Sequence, residues 1–308
     1  MYEKIILVTR KTRLEGLIER FNTKAQAQFY IEHSGGDFAM YRQEHDVYYA
    51  AVSELQRSLQ GLLKLQRIER EFLPNFIFSE ADLVVTIGID GLVVNTAKYL
   101  SGQPLVAVNP DPTHIDGILL PFAVPQAAAA VRRTLQSTAV IKPITMAEAT
   151  LNDGQRLLAF NDLFIGRQDH VSARYKIETG DGRSEHHSSS GIIISTGAGA
   201  TGWLSSLFNM ANGMMAQFGG GDNLQPPPMN WETDQLLYVV REPFVSKTSA
   251  AGIVCGAITP ESPLRLESAM AEGGVIFSDG VIADYLAFNA GTIATIELAR
   301  QKTHLVIS

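Results

Sequence analysis

The stretch DLVVTIGIDGLVVNTAKYL, residues 82–100, decides the fold. Leu83, Val84, Val85 and Ile87 form a β-branched-rich apolar run, too short for a buried helix and bounded by Gly88. It predicts a buried strand. Beyond Gly91, the residues Leu92, Val93, Ala97 and Leu100 recur on one helical face, so Gly88-Ile89-Asp90-Gly91 occupies a tight strand-to-helix connection. Ligands of open α/β sheets bind at such carboxyl ends of strands, which makes Asp90 a candidate functional acid. A plain turn before a helix accounts for the same residues equally well.

Working outward, the same alternation continues on both sides. Residues 4–8 read as a strand and 12–33 as a helix with Leu14, Leu17, Ile18 and Phe21 at helical spacing. A second helix fits 46–63, followed by a strand at 68–72, a buried strand at 104–108 and an alanine-rich helix at 124–136. Strands alternating with helices predict a mostly parallel sheet. After residue 137 the pattern changes to short or alternating apolar runs at 140–145, 156–165, 172–178, 191–195, 236–240, 264–267, 275–277, 281–285, 292–298 and 304–307. The expected organisation is therefore an α/β domain over 1–136 and a β-rich domain over 137–308, with the last strands returning to the first domain. Thr179-Gly180-Asp181-Gly182 signals a hairpin turn between 173–178 and the strand at 191–195. Three consecutive glycines and three consecutive prolines between 212 and 234 predict a long loop, read as a surface insertion ahead of a lid or an interface arm. No internal repeat is evident.

Composition narrows the functional classes. The chain has 308 residues and a formal net charge of −7, which argues against broad attachment to nucleic acid but not against a local site for a small anion. Its single cysteine, Cys255, has no intrachain disulfide partner. The start MYEKIILVTRK lacks the long apolar region of a signal peptide, and no apolar run approaches the ~20 residues that span a bilayer, so a cytoplasmic protein without membrane partners is expected.

Three further clusters carry chemistry. Residues 195–203, STGAGATGW, follow a strand and precede a helix, so Gly197, Gly199 and Gly202 match the spacing G-x-G-x-x-G. Their place in the β-rich half, with no acid-ended strand about 20 residues on, speaks against a Rossmann fingerprint. The physical signal remains: glycines that expose backbone N–H groups, with Ser195, Thr196 and Thr201 at a helix N-terminus, suit a phosphate, whereas the competing reading is a packing turn. Asn161-Asp162 falls inside an apolar strand pattern, where a half-buried charge needs partners; ribose hydroxyls or an adenine amino group would serve, and so would a structural bridge. Asn109-Pro110-Asp111-Pro112 ends a strand. Asp111, His114 and Asp116 match no trusted metal template, His186-His187 is expected to be exposed, and no G-x-S-x-G elbow or activated cysteine is present.

Taken in order, Gly-x-Asp-Gly, Asn-Pro-Asp-Pro, Phe-Asn-Asp, Ser-Thr-Gly-Ala-Gly-Ala-Thr and Ser278-Asp279-Gly280 resemble the NAD kinase family, most closely its mitochondrial-type branch. In that branch Gly-Gly-Asp-Gly-Thr is followed by Asn-Thr-Asp-Pro, an Asn-Glu pair, a Thr-Gly-Thr-Gly-Ser loop and a late Asp-Gly. The resemblance spans residues 82–203 well and 241–284 loosely, including Arg241-Glu242-Pro243. It implies an α/β domain, a β-rich domain and a nucleotide cleft between them, with transfer of the ATP γ-phosphoryl group to the adenosine 2′-hydroxyl of NAD. Asp90 would take or orient the hydroxyl proton. Gly88 and Gly91 flank it; Asn161 and Asp162 match the pair that holds ribose and adenine; Ser195, Thr196, Gly199 and Thr201 match the phosphate loop; Asn109 and Asp279 match positions bordering the cleft. Magnesium would arrive with ATP and use few protein ligands. A homo-oligomer is implied by the resemblance alone.

The sequence also departs from the family pattern. Ile89 replaces the second glycine, where a β-branched residue is badly suited if φ is positive, and Leu92 replaces the threonine. Asp162 is one methylene shorter than glutamate, and Ala198 and Ala200 replace residues that often carry hydroxyls. These changes admit two alternatives: an impaired nucleotide-binding or regulatory protein of the same fold, or a kinase of the superfamily with another acceptor. Polyphosphate is an alternative donor.

Overall fold

A computed structural model describes residues 2–308 apart from Gly220 and Asp222. The chain divides into two compact units, residues 1–142 with 303–308 and residues 143–302.

In chain order the first unit contains β1 (Lys4–Thr9), α1 (Arg13–Phe21), α2 (Lys24–His33), α3 (Phe38–Leu59), β2 (Lys64–Glu69), β3 (Asp82–Ile87), α4 (Asp90–Ala97), β4 (Pro104–Asn109), β5 (Phe122–Ala123), α5 (Val124–Leu135) and β6 (Ile141–Ile144). Its sheet runs β2-β1-β3-β4, continues through the carboxy-terminal strand 303–306 to β6, and has β5 beside β4. The pairs β1–β2, β1–β3, β3–β4 and β4–β5 are parallel. All six residues of β3 and of β4 are buried, as expected for strands covered on both faces. One face packs Ile5, Leu7, Leu83, Val85, Ile87, Val106 and Val108 against Tyr48, Val52 and Leu55 of α3 and Ala127 and Val131 of α5.

Two elements differ from the sequence expectation here. The helix expected over 12–33 is broken, because Asn22 takes a left-handed φ of 64° and Thr23 caps a new helix by accepting from the Gln26 amide. The strand expected at 68–72 lies at Lys64–Glu69, and residues 70–75 form a 3₁₀ turn around Pro74.

The second unit continues with β7 (Ala147–Leu151), β8 (Arg156–Ala159), β9 (Asp162–Arg167), β10 (Ala173–Glu178), β11 (Ser184–Ser189), β12 (Ile192–Ser195), α6 (Trp203–Met214), β13 (Leu236–Val240), β14 (Cys255–Ile258), β15 (Leu264–Ser268), β16 (Gly274–Ser278), β17 (Val281–Ala287) and β18 (Ile293–Leu298); β19 (Thr303–Val306) is the strand already placed in the first sheet. Two six-stranded sheets result, β11-β10-β15-β18-β7-β8 and β14-β13-β12-β9-β16-β17. Their inward residues, among them Leu157, Leu163, Tyr175, Ile192, Tyr238, Leu266, Ile276 and Ile296, form one apolar cluster. This sandwich of antiparallel sheets is the β-rich half of the expected fold.

Three details of the sandwich correct the sequence reading. The run 156–165 is two strands in different sheets, so Asn161 stands at the break between them and Asp162 opens β9. The hairpin signalled at 179–182 closes on β11, with Glu178 opposite Ser184, whereas 192–195 belongs to the other sheet. Next, α6 and a π-helical turn at Met215–Gly219 occupy the start of the segment expected to be loop; residues 223–230 have no regular structure, and Gly220 and Asp222 lie outside the described residues. Among the described residues no helix is long and apolar enough to cross a membrane.

Candidate functional site

In the first unit, β3 delivers Gly88 and Ile89 to the start of α4, where Asp90 is the first helical residue. Gly88 is tied to the neighbouring strand by its amide, 3.2 Å from the Val108 carbonyl. Ile89 has φ −107° and ψ 166°, extended backbone that any residue adopts, so its side chain imposes no backbone strain. Its effect is steric: the side chain is 40% exposed at the head of α4. Leu92, by contrast, is 1% exposed and packs beneath the turn, where a Cβ on Gly88 would meet its Cδ2 at 3.0 Å. Half-buried Asp90 accepts a hydrogen bond at Oδ1 from the Leu119 amide at 2.8 Å. Among the described residues its other oxygen makes no hydrogen bond.

Sequence reasoning missed the groups on the far wall of this turn. The Arg10 amide donates to the Tyr48 hydroxyl at 2.9 Å, and that hydroxyl donates to the Ile87 carbonyl at 3.2 Å. The Arg10 guanidinium lies over the Tyr48 ring, 5.1 Å from its centroid, and bonds Glu44, while its Nε is buried without a partner. Arg10, Arg13, Glu44, Tyr48, Ile89 and Asp111 are among the residues lining a pocket of about 470 Å³. The signal available in the sequence was a cation one residue beyond the first parallel strand.

Asn109 is 4% exposed and braces its own loop, with Nδ2 donating to the Ile115 carbonyl at 2.8 Å and Oδ1 accepting from the Asp111 amide at 2.9 Å. Those contacts give it a positioning role. Asp111 pairs with His114 at 2.7 Å. Among the described residues no group of three or more His, Cys, Asp or Glu side chains is gathered to hold a metal ion.

In the second unit the other candidates converge on one knot. The two-residue turn Asp279-Gly280 joins β16 to β17 with φ of 53° and 68°, the left-handed pair that a tight hairpin requires. This turn aims the Asp279 carboxylate at the chain break before β9. Oδ2 accepts from the Phe160 amide at 2.9 Å, and Oδ1 from the Asn161 and Asp162 amides at 2.7 and 3.2 Å. The Asp279 amide returns a bond to the Asp162 carbonyl at 2.9 Å. Asp279 therefore organises the Asn-Asp turn through its backbone.

Thr196 ties the glycine loop to the same turn. Its hydroxyl donates to the Phe160 carbonyl at 2.6 Å and accepts from the Ala198 and Gly199 amides, both at 3.2 Å; its amide donates to the Asn161 carbonyl at 2.9 Å. Ser195 is fully buried and donates to the Thr196 carbonyl, whereas Thr201 is exposed. Gly199 is required by close approach: a Cβ there would stand 2.3 Å from the Asn161 carbonyl oxygen and 2.8 Å from Asp162 Oδ1. The structure thus brings Asn161, Asp162, Ser195, Thr196, Gly199 and Asp279 together.

Asp162 is the chemically unusual member. Among the described residues its Oδ1 is buried without a hydrogen-bond partner. Burial pushes its carboxyl up to about 7; the Ser195 hydroxyl beside it offsets part of that rise, and the negative charge of Asp279 adds to it. Near neutrality this group exchanges between a hydrogen-bond donor and an anion. His187, expected to be exposed, is instead 3% exposed and pairs with Glu185 at 2.6 Å.

Two measurements follow from this geometry. Gly199→Ala is expected to cost about 1–3 kcal/mol in urea unfolding through overpacking, whereas Gly213→Ala in α6, where a Cβ meets nothing within 4 Å, is expected to gain about 0.5–1 kcal/mol. Because the folded pKa of Asp162 lies above its ordinary value of 3.8, native stability falls as pH rises from about 4 through about 7. Asp162→Asn removes that fall, so the urea midpoints of the two proteins should diverge in favour of the variant as pH rises from about 4 to about 7, and their difference should be constant outside that window.

No protein-family model matches the sequence, and no curated protein is similar to it. Solved structures are similar. The NAD kinase from Archaeoglobus fulgidus in complex with ATP has 15% identity and a TM-score of 0.58 over 98% of this chain and 93% of that one. Yeast NADH kinase complexed with NADH has 15% identity and a TM-score of 0.59 over 100% of this chain and 84% of that one. The likeness is one of fold: a mostly parallel α/β region and an antiparallel β-rich region, as in these kinases.

Proposed function

We propose that this protein is a NAD kinase-like phosphotransferase, moving the γ-phosphoryl group of ATP to the adenosine 2′-hydroxyl of NAD or NADH. The observation that carries the reading is the knot of Asn161, Asp162, Ser195–Gly199 and Asp279 in a chain with the fold of two nucleotide-binding kinases. In this reading Asn161 and Asp162 bind ribose and adenine polar groups. Asp90, half-buried at the head of α4, accepts the 2′-hydroxyl proton through the oxygen that the Leu119 amide leaves unused. The 2′-oxygen then bonds to the γ-phosphorus as the bond to the ADP oxygen breaks. Magnesium belongs to the donor, neutralising charge on its phosphates.

A second reading, a nucleotide-binding protein without turnover, is favoured by one feature. Ile89 presents an apolar side chain where the head of α4 would otherwise offer open backbone amides. Ile89→Gly is the informative reversal, because Leu92 is buried and a threonine there would place a hydroxyl in the core.

The test is formation of NADP(H) from ATP or polyphosphate, magnesium and NAD(H). Asp90→Asn should lower kcat by about 10²–10⁴-fold with little change in NAD affinity, as expected for loss of a general base. Absence of product above the Asp90→Asn background with every donor, together with calorimetric binding of NAD or ATP, would replace the kinase reading with the second one.

A further inference from the structure

The β10–β11 hairpin borders a pocket of about 500 Å³ that shares no residue with the candidate site, and its lining contains no carboxylate. In a chain of net charge −7 this is a local exception. Alternation along the hairpin sends Ala173, Tyr175 and Ile177 into the core and leaves Arg174, His186 and Ser188 on the other face, with Arg174 opposite Ser188. Residues 244–250 run alongside β11, the Phe244 amide donating to the Ser188 carbonyl at 2.8 Å and the Ala250 amide to the His186 carbonyl at 2.9 Å. This places Phe244, Ser246, Thr248 and Ser249 at the pocket.

Hydrogen-bond accounting shows which donors remain. The Ser249 hydroxyl donates to the Phe244 carbonyl at 2.7 Å, so the 2.8 Å bond between Ser246 and Ser249 uses the Ser246 proton. Ser172 and Ser188 make no side-chain hydrogen bond among the described residues, and Thr248 has only a 3.4 Å contact with Ser246. Among the described residues neither Arg174 nor His186 forms an ion pair. The nearby acids are engaged: Glu178 pairs with Lys176 and Arg265, and Glu185 accepts from His187 Nε2 and from the Gly252 and Ile253 amides.

We propose that this pocket binds the phosphoryl group of a small organic phosphate. Arg174 supplies positive charge, His186 a ring N–H donor, and Ser172, Ser188 and Thr248 hydroxyl donors. Phe244, 64% exposed, and Ala269 form the apolar wall for the organic part. The inference stands on the second unit alone and does not depend on the kinase reading.

The experiment is titration of the full chain with orthophosphate, ribose 5-phosphate and AMP, followed by calorimetry and by nitrogen NMR of the histidine rings. Arg174→Ala should weaken every bound probe about tenfold or more, the loss expected of a charge-assisted contact. Asn161→Ala should leave the orthophosphate affinity unchanged, and the His186 ring resonances should move on binding. Tighter binding of ribose 5-phosphate or AMP than of orthophosphate identifies an organic phosphate; equal binding reduces the site to one for free phosphate and removes the role of Phe244. No binding at millimolar probe, or binding indifferent to Arg174→Ala, overturns the proposal.

Discussion

One carboxylate holds the candidate site in shape. Asp279 satisfies the amides of Phe160, Asn161 and Asp162 at the point where the chain leaves one sheet for the other. Those amides lie at the break between β8 and β9 and at the first residue of β9, and a buried amide left without an acceptor costs about 1–3 kcal/mol. The arrangement also carries a constraint of its own. Asp279 must hold a left-handed φ of 53°, a conformation that Asp and Asn tolerate better than other non-glycine residues, and the following Gly280 completes the tight turn. The identity of this residue thus reflects two demands, one from the hairpin and one from the turn it caps.

The glycine loop depends on the same knot. Thr196 bonds the Phe160 and Asn161 backbone, and Gly199 packs so closely on Asn161 that no side chain fits. Burial raises the Asp162 carboxyl, and the nearby negative charge of Asp279 adds to that rise. A carboxyl poised near neutrality is a product of that scaffold. It lets Asp162 donate a hydrogen bond as well as accept one, where an ordinary ionised carboxylate only accepts.

Much of this was legible in the sequence, for local reasons. Strand-length apolar runs ending in Gly88 and Ser195 announced both turns, and the alternation of strands and helices before residue 137 announced the parallel sheet. What escaped was set by partners far away in the chain. The break at Asn161 is imposed by an acid more than a hundred residues on, and nothing local distinguishes it from a continuous strand. Tyr48 reaching the Ile87 carbonyl, and Asn109 closing its own loop, are likewise invisible to periodicity. Ile89 illustrates the opposite error: identity suggested backbone strain, and the extended φ shows that only the side chain matters.

The central claim is that Asp279 supports nucleotide recognition by holding backbone. Amide hydrogen exchange at Phe160, Asn161 and Asp162, measured in the wild type and in Asp279→Ala with and without NAD, tests it most directly. The account predicts slow exchange of all three amides in the wild type, fast exchange in the variant with the β12 amides still protected, and weakened NAD binding alongside. Fast exchange of these amides in the wild type, or full NAD affinity in a variant that has lost their protection, would contradict it.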